Sequence, residues 1–458
     1  MKDTAEHIII KHIENQRIYF STNQTKDISF RLRQLRKLKQ SILQNKEKIE
    51  NALWEDLHKS PEESYLTEIS IVTGEIENHI KHLKKWAKTK RVSTPIHLLP
   101  SSSKVIYEPL GVALIVAPWN YPFQLLINSL VGAISSGCCS VLKPSPYTPN
   151  IAKVMEEMIA ESFAPEYICV VQGGRETNTT LFNQRFDIIF LTGSPSLGKV
   201  VMKAAAQHLT PVVLELGGKS PCIVDADANI NIAARRIAWG KMINAGQSCI
   251  APDYLFAHHT IKDELLDKIA RNIKEMYGSN IKASRFYPRI VNQQAIDRLE
   301  KLMNQGKIHS GGEIDEKERF VAPTIIDNVN PDFLIMQEEI FGPILPVMTF
   351  EHIDETIEYI NKNEKPLAFY YFGKNKNAKE VLAKTSSGGA CINDTLMHIT
   401  NHNLPFGGVG NSGMGKYHGH ESFLAFSNKR AVVTTPTWID LPLKYVPFKY
   451  FKLIRKIV

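Results

Sequence analysis

Paired cysteines are missing from this chain. Six (Cys138, Cys139, Cys169, Cys222, Cys249, Cys391) are scattered through 458 residues, and no Cys-x-x-Cys occurs. That spacing supports neither a disulfide framework nor a zinc ribbon, so no metal is expected and a reducing, cytoplasmic setting is. The opening MKDTAEHIIIKHIENQ lacks the continuous apolar core of a signal peptide, and nothing marks the chain for secretion. A strong excess of one charge is missing too. The net charge is +8, with 22% charged and 43% hydrophobic residues, an ordinary globular composition of a length that suits two or three domains. The basic run RLRQLRKLKQ (31–40) carries Leu35, Leu38 and Ile42 at helical spacing, continued by Ile49, Leu53 and Leu57. It has no interleaved aromatics and reads as the solvated face of an amphipathic helix, so no nucleic-acid partner is expected.

Charge is absent altogether from Pro109 to Leu142, a span long enough to suggest a membrane helix. APWNYP and SSGCCS break it, leaving GVALIVAPW as a buried parallel strand, LLINSLVGAISSG as a helix and CSVLKPS as the next strand. The rhythm continues with YICVVQGG, with DIIFLTGS followed by the helical GKVVMKAAAQHL, and with two strands in PVVLELGGKSPCIV. Beyond Asp225 it restarts with the helices INIAARRIAWGKMINAG and IKDELLDKIARNIKEMYG and the strands GPILPVMTF and PLAFYYFG. The expected fold is α/β: two doubly wound domains, a Rossmann-like cofactor domain and a catalytic domain, meeting near Gly217–Gly218.

Three glycine loops compete as phosphate cradles. GGVGNSG has dinucleotide-fingerprint spacing at Gly408, Gly410 and Gly413, but follows no strand and lacks the acid expected about 20 residues on. GGKS resembles the end of a triphosphate loop, yet Val213 stands where the leading glycine belongs. TGSPSLG (192–198) does lie between a buried strand and a helix, where amide groups can face a pyrophosphate; a plain strand-to-helix turn is the competing reading.

NAGQSCIAP sets Cys249 among small uncharged neighbours. A nucleophilic cysteine needs a positive neighbour, a helix start or a base, and none is adjacent, so taken alone the residue reads equally well as buried filler. Other isolated polar residues shift the balance. Asn120 follows a buried strand in VAPWN, Glu215 sits inside VVLELGG, where a carboxylate is costly without work to do, and Glu339 lies in QEEIFGP beside Phe341.

Together APWNYP, LKPS, TGS, LELGGKSP, GQSC, EEIFGP and LPFGGVGNSGMG, in that order from about Val105 to about Phe426, resemble the aldehyde dehydrogenase superfamily. The last, with YHGHESF after it, is most similar to the class-three branch, which oxidises aromatic and long-chain fatty aldehydes. The resemblance implies Cys249 as the nucleophile, Asn120 as oxyanion donor with the Cys249 amide, and Glu215 as the base that activates water. It implies Lys143 and Ser145 at the adenine ribose, Gly193 and Ser194 at the pyrophosphate, and Glu339 at the nicotinamide ribose, with Trp119 and Phe341 also in the cofactor site. The implied reaction is NAD(P)-dependent oxidation of a lipophilic aldehyde to the free acid through a thiohemiacetal and a thioester. Relatives that pass the acyl group to coenzyme A lack the glutamate.

The expected segments are a helical part at 1–90, an oligomerisation excursion at 91–109, a cofactor domain at 110–217, a catalytic domain at 218–420, and at 421–458 an oligomerisation strand with a basic tail. A homodimer is implied. Many relatives read LKPSE where this chain has Pro146; without that carboxylate NADP meets no electrostatic objection, and both cofactors are expected, NAD favoured. The tail VPFKYFKLIRKIV places Lys449, Lys452, Arg455 and Lys456 on one helical face and Phe451, Ile454, Ile457 and Val458 mostly on the other. That pattern suits peripheral contact with the inner membrane surface or packing on the protein itself. Tyr121 and Tyr65 are candidates for a lipophilic tunnel, with packing in the core the competing reading for each. An idle family-like binding or structural protein and a cysteine esterase are the competing functions; intact Cys249, Asn120 and Glu215 argue against the first, and the lack of a histidine in a hydrolase motif against the second.

Overall fold

The uncharged stretch folds as strand, helix, strand. In the computed structural model, which describes residues 3–440, 442–448, 450–452 and 455, strand Val112–Val116, helix Pro122–Ser136 and strand Cys139–Lys143 are buried along their whole lengths. An element covered on every side has no polar face to show, which is why the sequence runs apolar there without period. The helix ends on Gly137 (φ 96°); a Cβ at this position would lie 2.6 Å from Thr25 O and 2.8 Å from Arg31 Nε. Arg31 departs from the expected solvated face. It is buried, and its guanidinium donates to Thr25 O (2.7 Å), Lys26 O (3.1 Å) and Ser135 O (3.2 Å), tying its helix to this core helix. Leu35, Leu38 and Ile42 are buried on helix Ile28–Gln44, and Ile49, Leu53 and Leu57 on a second helix, Lys46–Leu57.

Two sheets organise the chain. The first runs Gly413–Met414, Val212–Leu216, Ile188–Gly193, Val112–Val116, Cys139–Lys143, Ile168–Val170; it is parallel except for the short antiparallel edge Gly413–Met414. Chain order reverses between Val112–Val116 and Ile188–Gly193, the switch point beyond which doubly wound sheets open a crevice. The second sheet has seven strands, in the order Lys307–Ser310, Thr324–Asp327, Ile344–Phe350, Tyr254–His258, Pro221–Val224, Ala368–Phe372, Gly389–Ile392, again parallel but for its first edge. Gly217 and Gly218 separate the strands Val212–Leu216 and Pro221–Val224, which belong to different sheets.

A third, antiparallel sheet joins Lys90–Val92, Ser102–Pro109 and Ser427–Thr434, its outer strands largely exposed. Among the described residues no helix is long and apolar enough to cross a membrane. Of the basic tail, Phe451, Lys452 and Arg455 are exposed, while Lys449, Ile454, Lys456, Ile457 and Val458 lie outside the described residues.

Candidate active site

Helix Ile230–Met242 stops at a tight turn in which Asn244 (φ 52°) and Ala245 (φ 50°) both adopt the left-handed conformation. Such residues cost about 1–3 kcal/mol each and persist only where their surroundings hold them. Here the Asn244 amide donates to Glu63 Oε1 (2.9 Å), and Asn244 Nδ2 donates to Asn120 O (2.9 Å) and Gln247 O (3.0 Å). Gln247 Nε2 donates to Asn244 O (3.1 Å) and Arg289 O (3.0 Å), and its Oε1 accepts from the Val291 amide. These uncharged side chains brace the loop that presents Cys249, a role the sequence reading left unassigned.

Asn120 follows strand Val112–Val116 and is 2% exposed. Its Nδ2 donates one hydrogen to Gln247 O (3.0 Å), and its Oδ1 has no partner among the described residues. The Asn120 carbonyl is gripped by Lys59 Nζ (3.1 Å), which pairs with Glu68 (2.6 Å) where neither side chain reaches solvent. Lys59 and Glu68 were not legible as site residues.

Glu215 arrives from the first sheet, on strand Val212–Leu216, and is 2% exposed. Neither carboxyl oxygen has a hydrogen-bond partner of good geometry among the described residues. Burial pushes its acidity constant well above the carboxylate range; the Lys416 charge and the Gly408 amide oppose this. Burial likewise pushes the Cys249 thiol up, reinforced by the negative charges of Glu339 and Glu215, with the Cys249 and Ile250 amides opposing. Burial thus disfavours the charged form of both groups, the thiolate and the carboxylate.

Cys249 and Glu215 face one cavity of about 500 Å³. Its walls are mostly apolar, including Leu66, Trp239, Ile243, Met276, Phe286 and Met397. Tyr121 lines it too, whereas Tyr65 is exposed beneath Lys46, whose Nζ stands 4.9 Å from the ring centroid, and is absent from the wall. Tyr65 opens a single turn of π-helix (Tyr65–Ile69), which turns the ring outward while Glu68 and Ile69 are buried, so the tunnel expectation fails for it.

A second cleft of about 260 Å³ brings together Pro195, Gly217, Gly218, Lys219 and Glu339. Glu339 Oε1 is buried with no partner among the described residues, and burial with the Asp253 charge raises its carboxyl to about 8, the Gly218 amide opposing. A Cβ on Gly217 would sit 2.1 Å from Glu339 Oε2, so any side chain there would displace the Glu339 carboxyl from its present place. Ser194, after Gly193 at the end of strand Ile188–Gly193, caps helix Pro195–Ala206 by accepting from the Leu197 amide (3.3 Å). The helix start, the glycine backbone and the free Glu339 Oε1 fit a dinucleotide: amide donors for phosphate and an acceptor for ribose hydroxyls. Trp119 and Phe341 meet edge to face at 5.4 Å.

Lys143 and Ser145 lie at the end of the neighbouring strand, Cys139–Lys143. Lys143 is 1% exposed, donates to Pro144 O (2.8 Å) and is lowered to about 8 by burial against the pull of Asp3. Ser145 Oγ accepts from the Tyr147 amide. The two rejected glycine loops have other work. Lys219 of GGKS donates to Asp253 and to the Ile335 and Glu338 carbonyls, and GGVGNSG ends on the edge strand whose Gly413 pairs with Glu215.

The profile described as "Aldehyde dehydrogenase family" matches residues 3–432. The chain is 46% identical to "4,4'-diaponeurosporen-aldehyde dehydrogenase" of Staphylococcus aureus, over 98% of this chain and 99% of that protein. It is 45% identical to "Aldehyde dehydrogenase family 3 member A2" of Mus musculus (90% and 85% covered). It is 43% identical to "Aldehyde dehydrogenase, dimeric NADP-preferring" of Rattus norvegicus (92% and 93%). A solved structure described as "Substrate bound state of Staphylococcus Aureus AldH" superposes with a TM-score of 0.96 at 46% identity, over 98% of this chain and 99% of that one.

Proposed function

The chain belongs to the aldehyde dehydrogenase family, as an NAD(P)-dependent oxidoreductase of its class-three branch acting on aldehydes, and we propose that Cys249, Glu215 and Asn120 carry its reaction and that the free carboxylic acid is its product. The observation that carries this reading is that Cys249, on the loop after helix Ile230–Met242, and Glu215, from the first sheet, face the same apolar cavity.

The Cys249 thiolate adds to the carbonyl carbon, and the oxyanion that develops is met by Asn120 Nδ2, through the hydrogen not used on Gln247, and by the Cys249 amide. One such donor contributes about 3 kcal/mol. Gly193, Ser194, Glu339, Trp119 and Phe341, with Lys143 and Ser145 at the adenosine end, would hold NAD(P), which when bound would supply the acceptor for a hydride from the thiohemiacetal carbon; loss of that hydride leaves the acyl group on Cys249 as a thioester. Glu215 then takes a proton from water, the water oxygen bonds to the acyl carbon, and the C–S bond breaks.

The apolar wall supports a lipophilic aldehyde, in keeping with relatives named for 4,4'-diaponeurosporen-aldehyde and as family 3 member A2. Residues 110–217 form the cofactor domain, which also lends Asn120 and Glu215 to the reaction, and 218–420 the catalytic domain, which supplies Cys249 and lends Glu339 and Phe341 to the cofactor, while 1–90 supports the cofactor domain and Gly413–Met414 returns to complete the first sheet. The exposed sheet built from parts of 91–109 and 421–458 joins two copies into a homodimer, as the name of a dimeric relative supports. The test is product analysis: aldehyde and NAD(P) without coenzyme A yield NAD(P)H and free acid in equal amounts. Acid formation that depends on coenzyme A, with an acyl-coenzyme A product, overturns the reading.

A further inference from the structure

The glycine loop beside Glu215 is gripped by a lysine that the reaction above does not use. Lys416 follows the edge strand Gly413–Met414, and its half-buried ammonium donates to three neutral carbonyls: Gly388 O (3.4 Å), Gly408 O (3.2 Å) and, at close range, Gly407 O. The Gly407 carbonyl and the Gly408 N–H belong to one peptide unit, and that N–H faces the Glu215 carboxyl. A cation on the oxygen of a peptide fixes its plane and polarises its N–H toward whatever lies on the other side. Gly407 (φ 153°) makes the arrangement possible: a Cβ there would lie 2.7 Å from Glu215 Oε1 and 2.9 Å from Lys416 Cδ, so only bare backbone fits between carboxyl and lysine stem.

We propose that Lys416 is a positioning residue for Glu215: through the Gly407–Gly408 peptide and through its own charge, it orients the carboxylate for thioester hydrolysis. This rests on the reading of Glu215 as the base. In the step concerned, the water oxygen bonds to the acyl carbon and the water proton passes to Glu215. The C–S bond breaks with its electron pair on Cys249 sulfur, which takes the proton back. The groups facing Glu215 are Lys416 and Tyr417 from the segment after the edge strand, Cys249 from the nucleophile loop, and the Gly408 amide. Lys416 is the cation of that set. Burial holds its own acidity constant below the lysine value, against the pull of Glu215. Removing the cation leaves burial of Glu215 opposed by the amide alone, and acylation of Cys249 untouched.

The esterase reaction with p-nitrophenyl acetate separates the steps without cofactor: the nitrophenolate burst reports acylation of Cys249 and the steady rate reports deacylation. Lys416→Met is expected to keep the burst amplitude, slow the steady rate about tenfold near neutral pH, and move the acid-side limb of its pH profile to higher pH. Lys416→Arg restores most of both. Glu215→Gln abolishes the steady rate, and adding Lys416→Met to it changes nothing further. If Glu215→Gln deacylates at the wild-type rate, the base reading falls. If Glu215→Gln is slow while Lys416→Met keeps the wild-type rate and pH profile, the Lys416 proposal alone falls. It falls equally if Lys416→Met loses burst and steady rate together at every pH and Lys416→Arg does not recover them, which marks a merely structural lysine.

Discussion

Lys59 and Glu68 form an ion pair of 2.6 Å with neither side chain reaching solvent. Lys59 also holds the Asn120 carbonyl, and Glu68 Oε2 accepts from the Phe123 and Gln124 amides at the start of helix Pro122–Ser136. The pair thus ties the oxyanion donor to the first turn of a core helix. Breaking a buried pair strands the remaining charge, so Lys59→Met should lower unfolding free energy by about 3–5 kcal/mol in urea denaturation. The double variant Lys59→Met/Glu68→Gln should recover part of that loss. A single variant as stable as wild type contradicts the account.

Glu75 on helix Ser70–Trp86 meets the ring nitrogens of His79 (3.1 Å) and His402 (2.7 Å) and accepts from the Gly419 amide (2.6 Å). Burial pushes its carboxyl up, but the His402 and His79 hydrogen bonds outweigh burial and hold it well below the carboxylate range. A carboxyl depressed in the fold contributes stability above its unfolded value, about 4.3, and loses it as pH falls through the folded value. Glu75→Gln should therefore cost about 2 kcal/mol or more at neutral pH. Urea midpoints should show that gap narrowing below about pH 4; a gap independent of pH contradicts the assignment.

Pro146, at the end of LKPSP, brings no carboxylate to the adenosine end of the site. Like charges in contact cost several kcal/mol, so a chain without that repulsion should turn over both cofactors, NAD favoured, with kcat/KM ratios below roughly a thousandfold. Initial rates with NAD and NADP measure this. Undetectable NADP turnover contradicts it.

Trp239 is 37% exposed and lines the apolar cavity. Burial of each substrate methylene contributes about 0.8 kcal/mol, so kcat/KM should climb roughly fourfold per carbon from acetaldehyde toward decanal until the cavity is full. Trp239→Ala should lower kcat/KM for decanal about tenfold and leave acetaldehyde unchanged. A flat chain-length series would remove the lipophilic reading.

Much of this was legible because burial writes itself into sequence. The strands and helix between Val112 and Leu142 are covered on all sides and so run uncharged, and Glu215 stands out as a carboxylate inside an otherwise apolar strand. What stayed hidden depends on partners far along the chain. Lys59 sits in HKSPEES and Lys416 in MGKYHG, where a lysine among polar and glycine residues reads as solvated. Their carbonyl partners, on Asn120 and on Gly388, Gly407 and Gly408, leave no trace in side-chain identity. Arg31 was misread for the same reason, since its partners are the Thr25, Lys26 and Ser135 carbonyls.

The central claim is a covalent acyl group on one sulfur, released by one carboxylate. Glu215→Gln mixed with decanal and NAD, quenched in acid and digested, should show the decanoyl mass on the peptide containing Cys249 and almost no free decanoic acid. Cys249→Ser should show neither. Free acid formed at the wild-type rate by either variant, or an acyl mass on another residue, contradicts the account.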